Sequence, residues 1–278
     1  MSKKLVVLFS VVLIVIVVAV AIIMFPWNSS FQPKAAIVDN LALMPSAIYY
    51  HQNFVKNATK ILRDVGLEVD YFPLDKVTVD LYRRLSSYSI VILRVHSGML
   101  DDETYLFSSE RLTSESIEKY SQYLQDKYLG NACIPSAGEY YIAVGPSFIR
   151  DFSESFHNSI IVAMGCDSLK TTALAEAFVK RGASVYIGWT HEVTPEGTDN
   201  ATLKLLKRFF IKNMTVSEAV KGLKDNVTFA ELDFYPPKAE NLRPLTLIKK
   251  SISVKSSIFV DIYCLVSNED DFERKLNL

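Results

Sequence analysis

Short, largely apolar runs recur along this chain at the spacing of a buried sheet. They fall at residues 35–39 (AAIVD), 68–72 (EVDYF), 89–95 (SIVILRV), 140–144 (YYIAV), 159–164 (SIIVAM) and 183–189 (ASVYIGW). Runs of this length with little in-out alternation suit strands covered on both faces. Segments of helical period separate them, near residues 47–65, 78–86, 114–128, 170–181, 199–212 and 215–225, and Gly182 stands where the fourth of these needs a C-cap. The alternation predicts an α/β domain built on a mainly parallel sheet. Residues 113–138, with Tyr120, Tyr123 and Tyr128 at helical spacing, read as an insertion carrying a packed helix. The segments LTLI (245–248) and SIFVDIYCLV (257–266) read as two further strands in a C-terminal β extension over 231–278.

One run differs in kind. Residues 5–24 (LVVLFSVVLIVIVVAVAIIM) hold no charge, the length a helix needs to cross a bilayer core. Lys3 and Lys4 precede it and no basic residue follows until Lys34, which places the amino terminus in the cytoplasm and the remainder outside. Residues 1–27 are thus expected to be a cytoplasmic tip and transmembrane signal-anchor, with Trp27 at the interface. Residues 28–34 form a short stalk, and 35–230 the α/β domain. A cleaved signal peptide is the alternative, because Ala19-Val20-Ala21 has the small-x-small pattern of a cleavage site. Five sequons, at Asn28, Asn57, Asn200, Asn213 and Asn226, fit a glycosylated exterior.

A net charge of -1 with scattered basic residues gives no electrostatic footprint for nucleic acid. Three cysteines, Cys133, Cys166 and Cys264, leave at least one thiol unpaired within the chain, and a bridge between Cys133 and Cys264 would make it Cys166. No Cys-x-x-Cys or His-x-x-x-His spacing supports a structural metal site. No Gly-x-Ser-x-Gly, Walker or Gly-x-Gly-x-x-Gly pattern supports another hydrolase or a nucleotide site.

Chemistry concentrates where two strands stop. SIVILRV runs into His96-Ser97-Gly98, and SIIVAM runs into Gly165-Cys166-Asp167-Ser168. In an open parallel sheet the carboxyl ends of the strands share one rim, so His96 and Cys166 can meet there although distant in sequence. An imidazole beside a thiol draws it toward thiolate and returns a proton to a leaving amine. The small residues at both positions, with the amides of Cys166 and of Ser97 or Gly98 and the freedom of Gly165, suit an oxyanion site. Read blandly, Cys166 is a small buried hydrophobe, His96 a bonded strand-end imidazole and Gly165 a turn. His191, after the next strand, is the rival partner for Cys166. Arg94, inside an apolar strand, needs a partner, for which Glu110, Asp101 and Asp102 are candidates. His51 and His157 carry no distinguishing context.

The apolar strand ending in His-Ser-Gly, followed by the apolar strand ending in Met-Gly-Cys-Asp-Ser, resembles the clan of caspase-like cysteine peptidases, which includes caspases, legumains, gingipains, clostripain and separases. Residues 174–190 (LAEAFVKRGASVYIGWT) are similar to the helix and strand that follow the nucleophile in gingipain-like and CHAT-type members. The resemblance implies a caspase-like three-layer sandwich, His96 as general base and acid, Cys166 as nucleophile, a peptide or protein substrate, and no cofactor or metal. By the same analogy Asp167 attracts a basic side chain and Trp189 forms an apolar pocket wall, against the plainer roles of a capping Asp and a core Trp. Ser97 between His96 and Gly98 departs from the direct His-Gly of many members and bears on the second oxyanion donor. The expected function is a membrane-anchored extracytoplasmic cysteine peptidase. The alternative is a catalytically inactive ectodomain of the same fold that serves in binding or assembly.

Overall fold

The computed structural model describes residues 33–43, 48–134 and 138–249, so the expected anchor at 5–24 and the apolar segment at 257–266 lie outside the described residues. In chain order the elements are β1 (Lys34–Asp39), α1 (Ile48–Asp64), β2 (Glu68–Phe72), α2 (Val79–Arg83), β3 (Ile90–Arg94), β4 (Ser97–Leu100), β5 (Glu103–Arg111), α3 (Ser114–Lys119), α4 (Ser121–Gln125), β6 (Leu129–Ile134), β7 (Glu139–Val144), α5 (Pro146–Phe152), β8 (Ile160–Ala163), α6 (Ala173–Lys180), β9 (Val185–Trp189), α7 (Pro195–Phe210), α8 (Val216–Val220) and β10 (Leu232–Tyr235). Among the described residues, no helix is long and apolar enough to cross a membrane.

The main sheet runs β10-β9-β8-β3-β1-β2. Five of its strands are parallel and β10 closes one edge antiparallel to β9. Because β8 and β3 up to Leu93 are apolar, successive residues feed opposite faces. Ile90, Ile92, Ile160 and Val162 face a core completed by Phe54 and Leu62 of α1 and Leu205, Leu206 and Phe209 of α7. Val91, Leu93, Ile161 and Ala163 face a second core with Tyr82 of α2, Phe148 of α5 and Phe178 of α6. Helices therefore cover both faces, which is why these strands lack the polar-apolar alternation of a half-exposed sheet.

A second, antiparallel sheet in the order β4-β5-β7-β6 occupies the chain between β3 and α5. The run at 140–144, expected in the parallel sheet, is β7 of this second sheet: Ile142 and Val144 pack onto the second core while Tyr140 is exposed. The expected helix at 114–128 is two helices broken at Tyr120, and the rest of that insertion supplies β6. Tyr123 and Tyr128 pack edge-on against Phe152, with the Arg83 guanidinium over the Tyr123 ring.

The C-terminal extension also differs. Residues 244–249 are helical, not a strand, with Pro244 and Ile248 buried one turn apart. Proline presets the helical φ at a first turn, and four-residue spacing outweighs the β character of LTLI. Gly182 does end α6 with φ +103, where an added Cβ would sit 2.2 Å from the Phe156 carbonyl oxygen, so only glycine fits.

Candidate active site

Parallel pairing sets Leu93 of β3 opposite Ala163 of β8, and the Met164 amide still donates to the Leu93 carbonyl (2.9 Å). Each chain then runs three residues further, to His96 and to Cys166. Both line one cavity of about 60 Å³, whose other walls are Leu41, Met164, Gly165, Val193, Pro195 and Thr198. The two halves touch closely. A Cβ on Gly165 would lie 2.2 Å from Ser97 Oγ and 2.5 Å from the Val95 carbonyl oxygen. Ser97 Oγ donates to the Cys166 carbonyl at 2.6 Å, so the serine in His-Ser-Gly is a tie between the two segments.

The loop after β1 holds His96. Asn40, fully buried, accepts from the His96 amide through Oδ1 (3.0 Å) and donates through Nδ2 to the Phe107 carbonyl (2.8 Å), while the Phe107 amide donates to the His96 carbonyl (2.8 Å). The imidazole lies beside the Leu41 backbone, which favours its charged form. Its Nε2 is buried without a hydrogen-bond partner. Burial pushes the imidazole down to about 4, against the Leu41 bond that raises it and with a smaller push from the Arg94 charge.

Cys166 is half-buried. Its Sγ donates to the Val193 carbonyl (3.5 Å) and accepts from the Val193 amide (3.4 Å). Burial raises the thiol pKa, with the charges of Glu192 and Asp167 adding to the rise. At neutral pH the resting site therefore holds a thiol and a neutral imidazole. The thiolate expected from the neighbouring imidazole is disfavoured because burial penalises both members of a thiolate-imidazolium pair.

Across the β4–β5 ladder Ser97 faces Leu106 and Gly98 faces Tyr105. The Phe107-to-His96 bond makes Ser97–Leu106 the open pair, which commits the Gly98 amide to the sheet and turns the Ser97 amide toward Gly165. Asp167 adopts a left-handed turn (φ 52), pairs with Lys170 at 3.3 Å and is absent from the cavity lining. Trp189 is a core residue whose Nε1 donates to Thr198 Oγ1 (2.8 Å), so it stands behind the cavity wall. His191 is exposed and also absent from the lining.

Arg94 takes partners other than Glu110, Asp101 or Asp102. Its Nε and Nη2 donate to Asp199 at 2.8 and 2.9 Å, and Nη1 donates to Asp39 at 2.9 Å. Glu110 instead accepts from the Val79 amide and the Tyr120 hydroxyl, and Asp101 pairs with Lys127. A β3 side chain pointing into the sheet's core can reach the end of β1 and the first turns of α7, whereas the expected partners lie on the second sheet and its turn. Asn40, Leu41, Val193 and Thr198 were not among the expected site residues. Their signal was positional, at the carboxyl ends of β1 and β9 on the same rim, and Leu41 and Val193 act through backbone atoms that leave no mark in sequence.

Cys133 is exposed on β6, and Cys264 lies outside the described residues. Among the described residues, no group of His, Cys, Asp and Glu side chains could hold a metal ion. No protein-family model matches this chain, and no curated protein matches it.

Proposed function

We propose that this chain is a membrane-anchored, extracytoplasmic cysteine peptidase of caspase-like fold, with Cys166 as nucleophile and His96 as general base and acid. The observation that carries the reading is the shared cavity at the ends of adjacent parallel strands, which His96 and Cys166 both line and beside which His96 Nε2 is buried without a hydrogen-bond partner. The order His-strand then Cys-strand, and helices on both faces of a mostly parallel sheet, support the resemblance in the two sequence segments. Anchoring rests on residues 5–24, and the exposed positions of Asn57, Asn200, Asn213 and Asn226 are compatible with an exterior domain.

In this mechanism a peptide carbonyl enters beside Sγ. Nε2 takes the thiol proton as the S–C bond forms and the carbonyl electrons move to oxygen, where the amides of Cys166 and Ser97 are the available donors. The imidazolium then protonates the leaving amine as the C–N bond breaks. Water attacks the thioester, gives its proton to Nε2, and the thiol is regenerated. A neutral imidazole is the form this route requires, and its low pKa keeps it so above about pH 4.

The test is cleavage of a peptide library by the full-length chain, read by mass spectrometry. Cys166→Ala is expected to lower turnover at least ~10³-fold with the fold intact, and His96→Ala to do nearly the same, since the pair acts as a unit. Cleavage that survives Cys166→Ala refutes the reading. A second reading, a binding module that has lost catalysis, draws support from the thiol held protonated between both backbone groups of Val193. It predicts no cleavage product with any library.

A further inference from the structure

We infer that Asp225, which is absent from the cavity lining, positions the nucleophile: it holds the Val193 backbone against Cys166 Sγ so that the Val193 amide is aimed at the thiolate formed during reaction. The inference rests on the peptidase reading and adds to it a residue that acts through the backbone.

Val193 belongs to the strap of residues 190–194 that joins β9 to α7. Its N–H and C=O both face Sγ, at 3.4 and 3.5 Å. While the thiol keeps its proton the carbonyl accepts it, and once that proton has moved to His96 only the amide can bond the sulfur. A donor already in place at that moment stabilises the new charge without reorganisation. The Val193 carbonyl and the Thr194 N–H are opposite ends of one planar peptide unit, so a group that grips the second also aims the first. Asp225 Oδ2 is that group. It accepts from the Thr194 amide (2.6 Å) and from Thr194 Oγ1 (2.8 Å), which sets carboxylate and thiol at the two ends of the same unit.

Asp225 is fixed from every side. It is buried, and burial pushes its carboxyl up, yet the Val227 and Thr194 amides and the Thr194 hydroxyl hold it below the usual carboxylate range, so it is an ion at neutral pH. Its own turn is closed by the Asp225 amide donating to the Ala230 carbonyl (2.9 Å) and the Phe229 amide donating to the Asp225 carbonyl (3.0 Å). The next residue of that chain segment, Glu231, accepts from the Thr190 amide (3.1 Å), so both ends of the strap are tied to it. Gly197, in the first turn of α7, leaves the carboxylate its room, because a Cβ there would fall on the Asp225 carboxyl group.

The experiment alkylates the full-length chain with iodoacetamide across the titration range of a thiol and reads the rate of mass gain on Cys166, with the exposed Cys133 as reference. Sγ forms a thioether as iodide leaves. The charges facing Sγ are those of Glu192 and Asp167, with His96 on the same cavity, and the Asp225 and Gly197 variants change none of them. Asp225→Ala is expected to raise the midpoint of the Cys166 profile by about one pH unit, as loss of a bond to a charged group requires. Labelling at neutral pH should slow only ~3-fold, because a more basic thiolate is a better nucleophile, and Cys133 should not change. Gly197→Ala keeps every group of the clasp and displaces only the carboxylate, so it should shift the midpoint the same way and decides the case if Asp225→Ala does not fold. A midpoint that stays, or that falls because a loosened strap admits water to Sγ, overturns the inference. His96→Ala, labelled in parallel, tests the peptidase reading separately. Slower labelling there beside an unmoved midpoint in the Asp225 and Gly197 variants overturns the inference and leaves the reading standing, whereas labelling that does not depend on His96 overturns both.

Discussion

At one rim of the main sheet, Arg94, Asp39 and Asp199 are buried as ions bonded to one another, whereas His96 and Cys166, two to three residues beyond the same sheet's strands, are buried neutral. Burial penalises charge in both places. In the first the bidentate guanidinium-carboxylate geometry offsets that penalty, and the Arg94 pKa is raised although burial alone would lower it. In the second the backbone groups of Leu41 and Val193 offset only part of it, so both groups stay neutral. The paired ions are scaffold, fastening β3 to β1 and α7. The unpaired neutral groups retain protons to exchange.

That contrast breaks most visibly at Arg94. Arg94→Met leaves two carboxylates buried together and is expected to cost ~3–5 kcal/mol, read as a fall in urea midpoint with an unchanged slope. A cost under ~1 kcal/mol would mean the cluster is solvated and the contrast false.

The neutral side is sharpened by pH. His96 titrates near 4 folded and near 6.5 unfolded, so between those values the unfolded chain binds a proton that the folded chain does not. Stability should therefore fall by roughly 3 kcal/mol as pH drops from 6.5 to 4 and level off below, at about 1.4 kcal/mol per pH unit. His96→Gln should remove that slope, which urea titrations at several pH values would show.

The junction between the two strands gives smaller effects. Gly165→Ala forces a Cβ against Ser97 Oγ and the Val95 carbonyl, and is expected to cost ~1–3 kcal/mol while moving the His96 loop, seen as lost turnover in a protein that still folds. Ser97→Ala removes one bond to the Cys166 carbonyl, worth ~1 kcal/mol in thermal unfolding.

The interior parallel strands were legible because burial on both faces writes itself as continuous apolar sequence, and the part-exposed edge strand EVDYF was still bounded to the residue. The second sheet was less so. Strands β4 to β6 carry polar and small residues, as in ETYLFSSER, and their pairing depends on partners distant in the chain. At the site, residue type and strand-end position sufficed to bring His96 and Cys166 into one cavity. Their protonation was not legible, because it is set first by burial and then by the Leu41 and Val193 backbone groups. Arg94's need for a partner was visible, but its identity required knowing that β1, β3 and α7 converge.

The most direct test of the account is the pH dependence of kcat/KM for a peptide the full-length chain cleaves. If neutral His96 is the base, activity rises with pH along an acid limb near 4 and persists unchanged through pH 6.5, and His96→Ala abolishes it. An acid limb near 6.5, or turnover that survives His96→Ala, would contradict the claim that a buried, neutral imidazole activates Cys166.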